Sequence, residues 1–351
     1  MEICFEKIQG TYGEFGHVML NRPKALNALS FPMIQALKRQ LEIWEEETSL
    51  LAVIVTSSSE KAFCAGGDIR ALYEAGLKKN PDISKFFEQE YALNKAIHCY
   101  TKPYISFLNG LTMGGGVGIS LHGSHPVAGE KFCFAMPETA IGFFPDVGGS
   151  FCLNRCLGFS GIYLGLTGAR LSREEAYLLD LVPFCINVVD QEDCLKALYA
   201  ADLRGTAHSL VTEILRRYHP SPLNPAPLLD EMAWIDEVFQ EQSVESILDK
   251  LQALSGENPL AEKTLSELNL KSPTSLKVTL KQLHRARGLP LEDCLAVDYQ
   301  LAQHFIRGYD FYEGVRALII DKDNTPRWKP AVLSEVTEIM VDKYFEPLLH
   351  C

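Results

Sequence analysis

The sequence predicts an α/β protein with a mainly helical C-terminal region. Short apolar runs rich in β-branched residues recur in the first half, each followed by a loop and then a helical pattern. From about Ser172 the chain changes to helical segments joined by polar loops. We expect an α/β core over residues 1–200 and a helical region over 201–351 packed on that core; a separately folding second domain fits the pattern equally well.

The first elements follow from local signals. Residues 2–20 predict two strands joined at Gly13-Glu14-Phe15-Gly16. Ser30 is placed as an N-cap, and Pro32 lies in the first turn of the helix that follows. The apolar face of this helix consists of Ile34, Leu37, Leu41 and Trp44.

Two buried strands and a group of later helices complete the predicted order. Leu51–Thr56 and Tyr104–Leu108 are short apolar runs that end at loops. Four prolines in the nine residues His219–Pro227 exclude a regular helix there. Beyond this proline-rich loop, amphipathic helices are predicted around Trp234, Val238, Ile247 and Leu251.

Composition limits the classes of function. The 351 residues are 47% hydrophobic and 22% charged, as in an ordinary globular protein. The net charge is −12, from 45 acidic and 33 basic residues, which argues against a general nucleic-acid binder. One anionic ligand stays compatible with this charge, because a few cations and helix N-termini hold phosphate locally. No run of about 18 apolar residues occurs, so no membrane span is expected.

Cysteines and histidines show no metal-site spacing. The ten cysteines are scattered without a CxxC pair, and the nine histidines form no HExxH pattern. We therefore expect no metal, no cofactor and a reducing compartment.

Met1–Lys7 leads directly into strand-like sequence, which favours the cytoplasm, or the mitochondrial matrix where a leader has been removed.

Two glycine-containing loops carry the first chemical signal. Ala62–Arg70 places Gly66 and Gly67 between a strand and a helix start at Asp68, and Asn109–Gly118 contains Gly114, Gly115 and Gly116. Glycine lets bare main-chain amides approach a ligand, and two such amides are what an oxyanion hole requires. Ordinary strand-to-helix connection, with Asp68 as N-cap, and close packing of the glycines stay open as structural explanations.

Two carboxylates supply the second signal. Glu138 and Asp146 lie in Met136–Gly149, a run that is otherwise apolar and rich in turn formers. Desolvation raises the pKa of such a carboxyl and suits it to acid–base work near neutral pH. The structural alternatives are a solvent-facing strand end for Glu138 and an N-cap of a helix Val147–Leu157 for Asp146. No GxSxG nucleophile elbow competes with these carboxylates.

Together these stretches resemble the crotonase (enoyl-CoA hydratase/isomerase) superfamily. Asn21–Leu29, Phe63–Asp68 and Gly110–Gly116 are similar to its successive signatures in the same order. The resemblance implies a crotonase-like spiral of repeated ββα units. It implies oxyanion donors at Gly67 and Gly115. The residues that it implies for the substrate and its CoA moiety are Arg22, Lys24, Ala25, Leu26, Ala65, Gly66, Asp68, Ile69, Arg70 and Gly114.

The carboxylate region and the C-terminal part resemble the 3-hydroxyisobutyryl-CoA hydrolase branch of that superfamily. Similar segments are Met136–Gly149, Ser272–Lys277 and Arg307–Ala317, followed by Ile320–Asp323 and Trp328–Pro330. Hydratases of the superfamily carry a glutamate where this chain has Gly118. The resemblance therefore implies hydrolysis of a short 3-hydroxyacyl-CoA by Glu138 and Asp146, within valine breakdown.

Two alternatives to a hydrolase fit the same residues: a hydratase or isomerase that uses Glu138 alone, and a CoA-binding protein without activity. The superfamily often forms trimers or hexamers, so the resemblance is compatible with a homo-oligomer, whereas the long C-terminal part argues against that packing.

Overall fold

The computed structural model describes residues 1–80, 82–221 and 223–348, so Pro222 of the proline-rich loop and Cys351 lie outside the described residues. Two compact units are formed. Unit 1 contains residues 1–67, 89–134 and 171–227, and unit 2 contains residues 68–88, 135–170 and 228–351. Each unit is thus formed by three separate stretches of the chain. The boundary predicted after residue 200 lies within unit 1. The division of the chain into residues 1–200 and 201–351 stays a prediction.

Unit 1 is built on two sheets. Its strands are β1 Ile3–Gln9, β2 Glu14–Leu20, β3 Leu50–Ser57, β4 Ala62–Cys64, β5 Tyr104–Leu108, β6 Leu111–Met113, β7 His125–Ala128, β8 Cys133–Ala135, β9 Leu171–Ser172 and β10 Phe184–Cys185. The larger sheet has the order β1-β2-β3-β5-β7-β10, and the smaller has the order β4-β6-β8-β9. β1 and β2 are antiparallel, while β3, β5 and β7 pair in parallel. Parallel strands connected through helices confirm the predicted α/β class.

The interior of the larger sheet explains why the predicted strands form. Val53, Val55, Ile105 and Leu108 are fully or almost fully buried, as strands covered on both faces should be. The predicted joint between the first two strands was wrong by a few residues. The turn lies at Gly10–Gly13, closed by the Gly10 N–H donating to Gly13 O over 2.8 Å. Phe15 is buried and pairs with Ile8, so Glu14–Gly16 continues β2.

The first two helices begin at the predicted caps, Ser30 and Asp68. The Ser30 side chain accepts from Met33 N at the start of α1 Phe31–Glu46, and Ile34, Leu37, Leu41 and Trp44 are buried on its inner face. The Asp68 side chain accepts from Ala71 N at the start of α2 Ile69–Leu77. The next helices are α3 Asp82–His98, α4 Gly115–Gly118, α5 Gly149–Leu153, α6 Ser160–Thr167, α7 Arg173–Leu178, α8 Val188–Ala200 and α9 Ala207–Arg217.

The predicted helical C-terminal region is confirmed, and it forms much of unit 2. Its helices are α10 Met232–Phe239, α11 Val244–Leu254, α12 Pro259–Leu268, α13 Pro273–Arg285, α14 Leu291–Phe305, α15 Tyr309–Val315 and α16 Glu338–Tyr344. Shorter turns of helix are Pro23–Ala25, Glu138–Ile141, Pro227–Glu231, Arg316–Ile320 and Leu333–Glu335. Ile235, Val238, Ile247 and Leu251 are buried, as the amphipathic pattern predicted.

The described residues add three observations about chemistry and environment. Their nine cysteines are all free thiols. None of their helices combines the length and apolarity needed to cross a bilayer. No group of their histidines, cysteines and carboxylates converges as metal ligands would.

Candidate active site

A buried asparagine in unit 1 holds the predicted CoA loop, the segment Arg22–Leu26 that contains residues predicted to bind CoA. Asn27 is fully buried, and its Oδ1 accepts from Arg22 N over 2.7 Å. Its Nδ2 donates to Ser57 Oγ over 2.7 Å and to Phe63 O over 3.0 Å. Leu26 and Asn27 both take a left-handed backbone conformation, with φ of 51° and 56°. The predicted ligand residues Arg22–Leu26 are thereby fixed beside the end of β4.

The first glycine loop follows β4 directly. The Ala65 N–H donates to Leu26 O over 3.0 Å, and the Leu29 N–H donates to Gly66 O over 2.8 Å. Gly66 has φ +114°, a conformation that side chains rarely adopt. Main-chain bonds therefore join the predicted CoA loop to the loop that carries Gly67.

The second glycine loop lies against the first. Gly114 has φ +47°, and α4 begins at Gly115. A Cβ placed on Gly116 would lie 2.2 Å from Cys64 O, so only glycine fits there. A Cβ placed on Gly115 would lie 3.3 Å from Gly67 N. The structure thus brings Gly67 and Gly115 together, as the prediction of a paired oxyanion hole requires.

Glu90 is a neighbour of these amides that the sequence analysis missed. It lies on α3, is 2% exposed, and its Oε1 would be 2.5 Å from a Cβ on Gly115. The available signal was periodicity: Glu90 lies at helical spacing from the buried apolar residues Phe87 and Ile97. A carboxylate at a core position of a helix is rare enough to mark a functional candidate.

In unit 2, Glu138 is buried within an apolar turn. It begins the short helix Glu138–Ile141 and is 7% exposed, so the alternative of a solvent-facing strand end was wrong. Burial raises the pKa of Glu138 well above its usual range, and the nearby Asp146 carboxylate raises it further. Its Oε2 has no hydrogen-bond partner among the described residues. Such an oxygen is available to a substrate or to a water molecule.

Asp146 is also buried, at 5% exposure, and it precedes an unusual turn. Val147 has φ +54° and Gly148 has φ +72°, so two successive residues are left-handed. The alternative that Asp146 caps a helix Val147–Leu157 was wrong, because α5 begins at Gly149 with Gly148 as its N-cap. Two left-handed residues interrupt the helix that the sequence pattern suggested.

Helix α15, which contains most of the motif Arg307–Ala317, packs behind the turn of Glu138. A Cβ on Gly314 would lie 2.3 Å from the carbonyl carbon of Ile141, and a Cβ on Gly142 would lie 2.2 Å from Asp310 O. The Asp310 carboxylate accepts from Ser272 Oγ over 2.6 Å and from Lys329 N over 2.8 Å. These contacts give the motif Arg307–Ala317 a structural role: it supports the turn that carries Glu138.

The three basic residues that we predict to contact CoA differ in their surroundings. Lys24 is exposed on the turn Pro23–Ala25. Arg22 forms an ion pair with Glu2 at 2.9 Å and also donates to Ala28 O over 3.0 Å. Arg70 is exposed and donates to Ile319 O over 3.0 Å, near the start of α2 that contains Ile69. Their contact with CoA stays a prediction, as do the roles of Ala25, Ala65 and Asp68.

Curated relatives match nearly the whole chain. A protein named 3-hydroxyisobutyryl-CoA hydrolase, mitochondrial, from Gallus gallus is 44% identical over 340 residues, which are 96% of this chain and 87% of that protein. The protein of the same name from Homo sapiens is 42% identical over 99% of this chain and 89% of that protein.

Solved structures agree in fold. A carnitinyl-CoA dehydratase from Mycobacterium thermoresistibile superposes with a TM-score of 0.89 at 34% identity, over 99% of this chain and 97% of that one. An enoyl-CoA hydratase from Rhodobacter sphaeroides 2.4.1 gives a TM-score of 0.87 at 32% identity, over 99% and 98%. The predicted crotonase-like α/β fold is confirmed.

Residues 15–345 match the enoyl-CoA hydratase/isomerase family. The chain belongs to this family and, within it, to the branch of the relatives named 3-hydroxyisobutyryl-CoA hydrolase.

Proposed function

We propose that this protein hydrolyses the thioester of a short 3-hydroxyacyl-CoA, with 3-hydroxyisobutyryl-CoA as the preferred substrate. The observation that carries the proposal is the buried Glu138 carboxyl, which has a raised pKa and an oxygen without a hydrogen-bond partner among the described residues. The names of relatives at 44% and 42% identity support the same reaction. The products are free CoA and 3-hydroxyisobutyrate, which places the reaction in valine breakdown.

The proposed binding mode begins with the thioester oxygen. This oxygen accepts hydrogen bonds from the amides of Gly67 and Gly115, whose closeness supports the assignment. Negative charge develops on the oxygen in the transition state, and each prepositioned donor is worth about 3 kcal/mol in measured cases. The CoA moiety lies along Arg22–Leu26 and Ala65–Arg70, where Arg22, Lys24 and Arg70 supply positive charge.

Glu138 performs the chemical step in one of two ways. As a general base it takes a proton from water, and the resulting hydroxide attacks the carbonyl carbon. As a nucleophile it attacks that carbon directly and forms a mixed anhydride, which water then hydrolyses. In both routes the C–S bond breaks, and CoA leaves as the thiolate or, after protonation, the thiol. Asp146 accepts a hydrogen bond from the 3-hydroxyl of the substrate and assists proton transfer.

A hydratase or isomerase is the second candidate, favoured by the titles of the two solved structures at 34% and 32% identity. Hydration of an enoyl thioester uses two carboxylates around one water. At the position where the resemblance implies the second carboxylate, this chain has Gly118, which is buried in α4. The absence of a carboxylate at that position favours hydrolysis.

A thiol-release assay separates these candidates. The purified protein is incubated with 3-hydroxyisobutyryl-CoA and, separately, with crotonyl-CoA, and free CoA is measured with a thiol reagent. The proposal predicts release of CoA from the hydroxylated ester. Hydration of crotonyl-CoA without any thiol release from either ester would refute it.

The location and assembly of the protein are part of this proposal. The relatives are named as mitochondrial, which agrees with the alternative of a mitochondrial protein and not with the expectation of a cytoplasmic one. We therefore propose action in the mitochondrion, which the localisation of a tagged full-length protein tests. Assembly into a homo-oligomer stays a prediction, and light scattering on the purified protein decides it.

A further inference from the structure

The turn that carries Asp146 is held in an unfavourable conformation. Val147 is β-branched, and its φ of +54° brings its Cβ close to its own main chain. Gly148 follows with φ +72°, and Val147 itself is 1% exposed. A β-branched residue stays left-handed only where its surroundings hold it there, and such positions cluster at functional sites.

Two buried side chains, from helices that are distant in sequence, hold this turn on both sides of Asp146. Asp298 on α14 is fully buried, and its Oδ2 accepts from Gly148 N over 2.7 Å. Gln282 on α13 is 1% exposed, and its Nε2 donates to Pro145 O over 3.0 Å. The same Nε2 donates to Asp298 Oδ1 over 2.7 Å. The main chain is thus bound directly before Asp146 and again two residues after it.

The position of this pair argues for more than filling of the core. Burying a carboxylate costs free energy, and burial indeed raises the pKa of Asp298 well above its usual range. An apolar pair would pack α13 against α14 without that cost. Asp298 accepts from, and Gln282 donates to, the main chain that flanks Asp146. We therefore attribute this cost in free energy to holding Asp146 in place.

We propose that Asp298 and Gln282 are positioning residues that aim the Asp146 carboxylate at the 3-hydroxyl of the substrate. This inference rests on the proposed function, because it assigns to Asp146 the recognition of that hydroxyl. The pair thereby sets the preference for 3-hydroxyacyl esters over esters without the hydroxyl.

The test is a ratio of two specificity constants. kcat/KM is measured for 3-hydroxyisobutyryl-CoA and for isobutyryl-CoA, which has the same carbon skeleton without the hydroxyl. In the unmodified protein we expect a preference of at least about 100-fold for the hydroxylated ester, because a site built to hydrogen-bond a hydroxyl discriminates strongly against an analogue that lacks it. Absence of that preference would refute the proposed role of Asp146, and this inference with it.

Asp298→Asn is the decisive variant. It keeps an oxygen for Gly148 N but sets an amide N–H against Gln282 Nε2. Gln282 then loses its bond to residue 298 or, if its amide turns over, its bond to Pro145 O, so the turn is no longer held on both sides. We expect the ratio to fall at least about tenfold, since a small displacement of a positioned group has effects of this size. An Asp298→Asn protein that is folded and keeps the ratio within about twofold, even with both rates lowered equally, overturns the proposal.

Two further variants serve as a control and as a replacement for Asp298→Asn. Asp236→Asn is the matched control, because Asp236 Oδ1 accepts from the main-chain N of Phe159 over 2.7 Å elsewhere in unit 2. Its ratio should stay that of the unmodified protein, and an equal fall in both variants contradicts the inference.

Should Asp298→Asn yield no folded protein, Gln282→Met removes the bond to Pro145 O and keeps the side-chain length. The same fall in ratio is then expected, and an unchanged ratio overturns the proposal.

Discussion

Gly115 lies so close to Gly67 that a Cβ added to Gly115 would come within 3.3 Å of the Gly67 main-chain nitrogen. Gly115 also begins α4, and Gly114 before it has φ +47°. Two loops that are separated in sequence therefore place the Gly67 nitrogen beside the main chain of Gly115. Main-chain donors of this kind do not titrate, and they are in place before a substrate binds.

A methyl group on Gly115 should impair catalysis more than folding. Gly115→Ala would place its Cβ 2.5 Å from Glu90 Oε1 and 3.1 Å from Leu29 Cδ1, so either the buried Glu90 carboxylate or the glycine loop must shift. We expect kcat to fall by about 100-fold or more, as for loss of one oxyanion donor. Single-turnover hydrolysis measures this fall, and binding of an acyl-CoA measured by calorimetry is the control. A variant with unchanged kcat would show that these amides do not hold the thioester oxygen.

The pH dependence of hydrolysis should report the coupling between Glu138 and Asp146. Glu138 acts as base or nucleophile only when it is ionised, so activity rises as pH rises through its raised pKa. Asp146→Asn removes the negative charge that helps to raise this pKa. The acidic limb of the kcat/KM profile of its residual activity should therefore move to lower pH.

The control for this profile is Asp236→Asn, a carboxyl of the same unit that is not among the causes of the raised pKa of Glu138. Its limb should coincide with that of the unmodified protein. A limb that stays in place in Asp146→Asn, or moves to higher pH, would mean that Glu138 is not the group that titrates.

Removal of the Glu138 charge should stabilise the fold at alkaline pH. The pKa of Glu138 is raised in the folded protein, so its contribution to stability is full below its ordinary value of 4.5 and is lost as pH rises toward the folded value. Glutamine does not titrate. The Tm of Glu138→Gln minus that of the unmodified protein should therefore grow between pH 5 and pH 8, on the order of a few degrees.

Thermal melts at both pH values check this prediction, with Glu60→Gln as a control at an exposed carboxyl. The control should melt with the unmodified protein throughout. A difference for Glu138→Gln that shrinks with rising pH would contradict the assignment of a raised pKa.

Local signals were sufficient for much of the fold and part of the site. Ser30 and Asp68 cap the helices that follow them, because an N-cap bond spans only three residues and is visible in the sequence. The glycine runs were informative for a similar reason, since few other features require glycine at Gly66 and Gly116. Resemblance to a family supplied the order of these loops and the roles of Glu138 and Asp146.

Contacts between distant parts of the chain were beyond local pattern. Asp298 binds the turn after Asp146 from 150 residues away, and Gln282 reaches Pro145 from 137 residues away. Helical periodicity places Asp298 on the apolar stripe that contains Leu295 and Leu301, but it does not say which main-chain group Asp298 binds. The left-handed Val147 was also missed, because β-branched residues rarely adopt that conformation and it depends on these tertiary bonds.

The most direct test of the proposed chemistry is CoA release by Glu138→Gln with 3-hydroxyisobutyryl-CoA, measured beside the affinity of the variant for the same ester. Glutamine keeps the shape of the side chain and can neither accept a proton from water nor attack the thioester carbon. Release should fall by at least about 1,000-fold, while the Kd changes by less than about threefold, because the lost interaction acts in the chemical step. Turnover within about tenfold of the unmodified protein would contradict the assignment of Glu138.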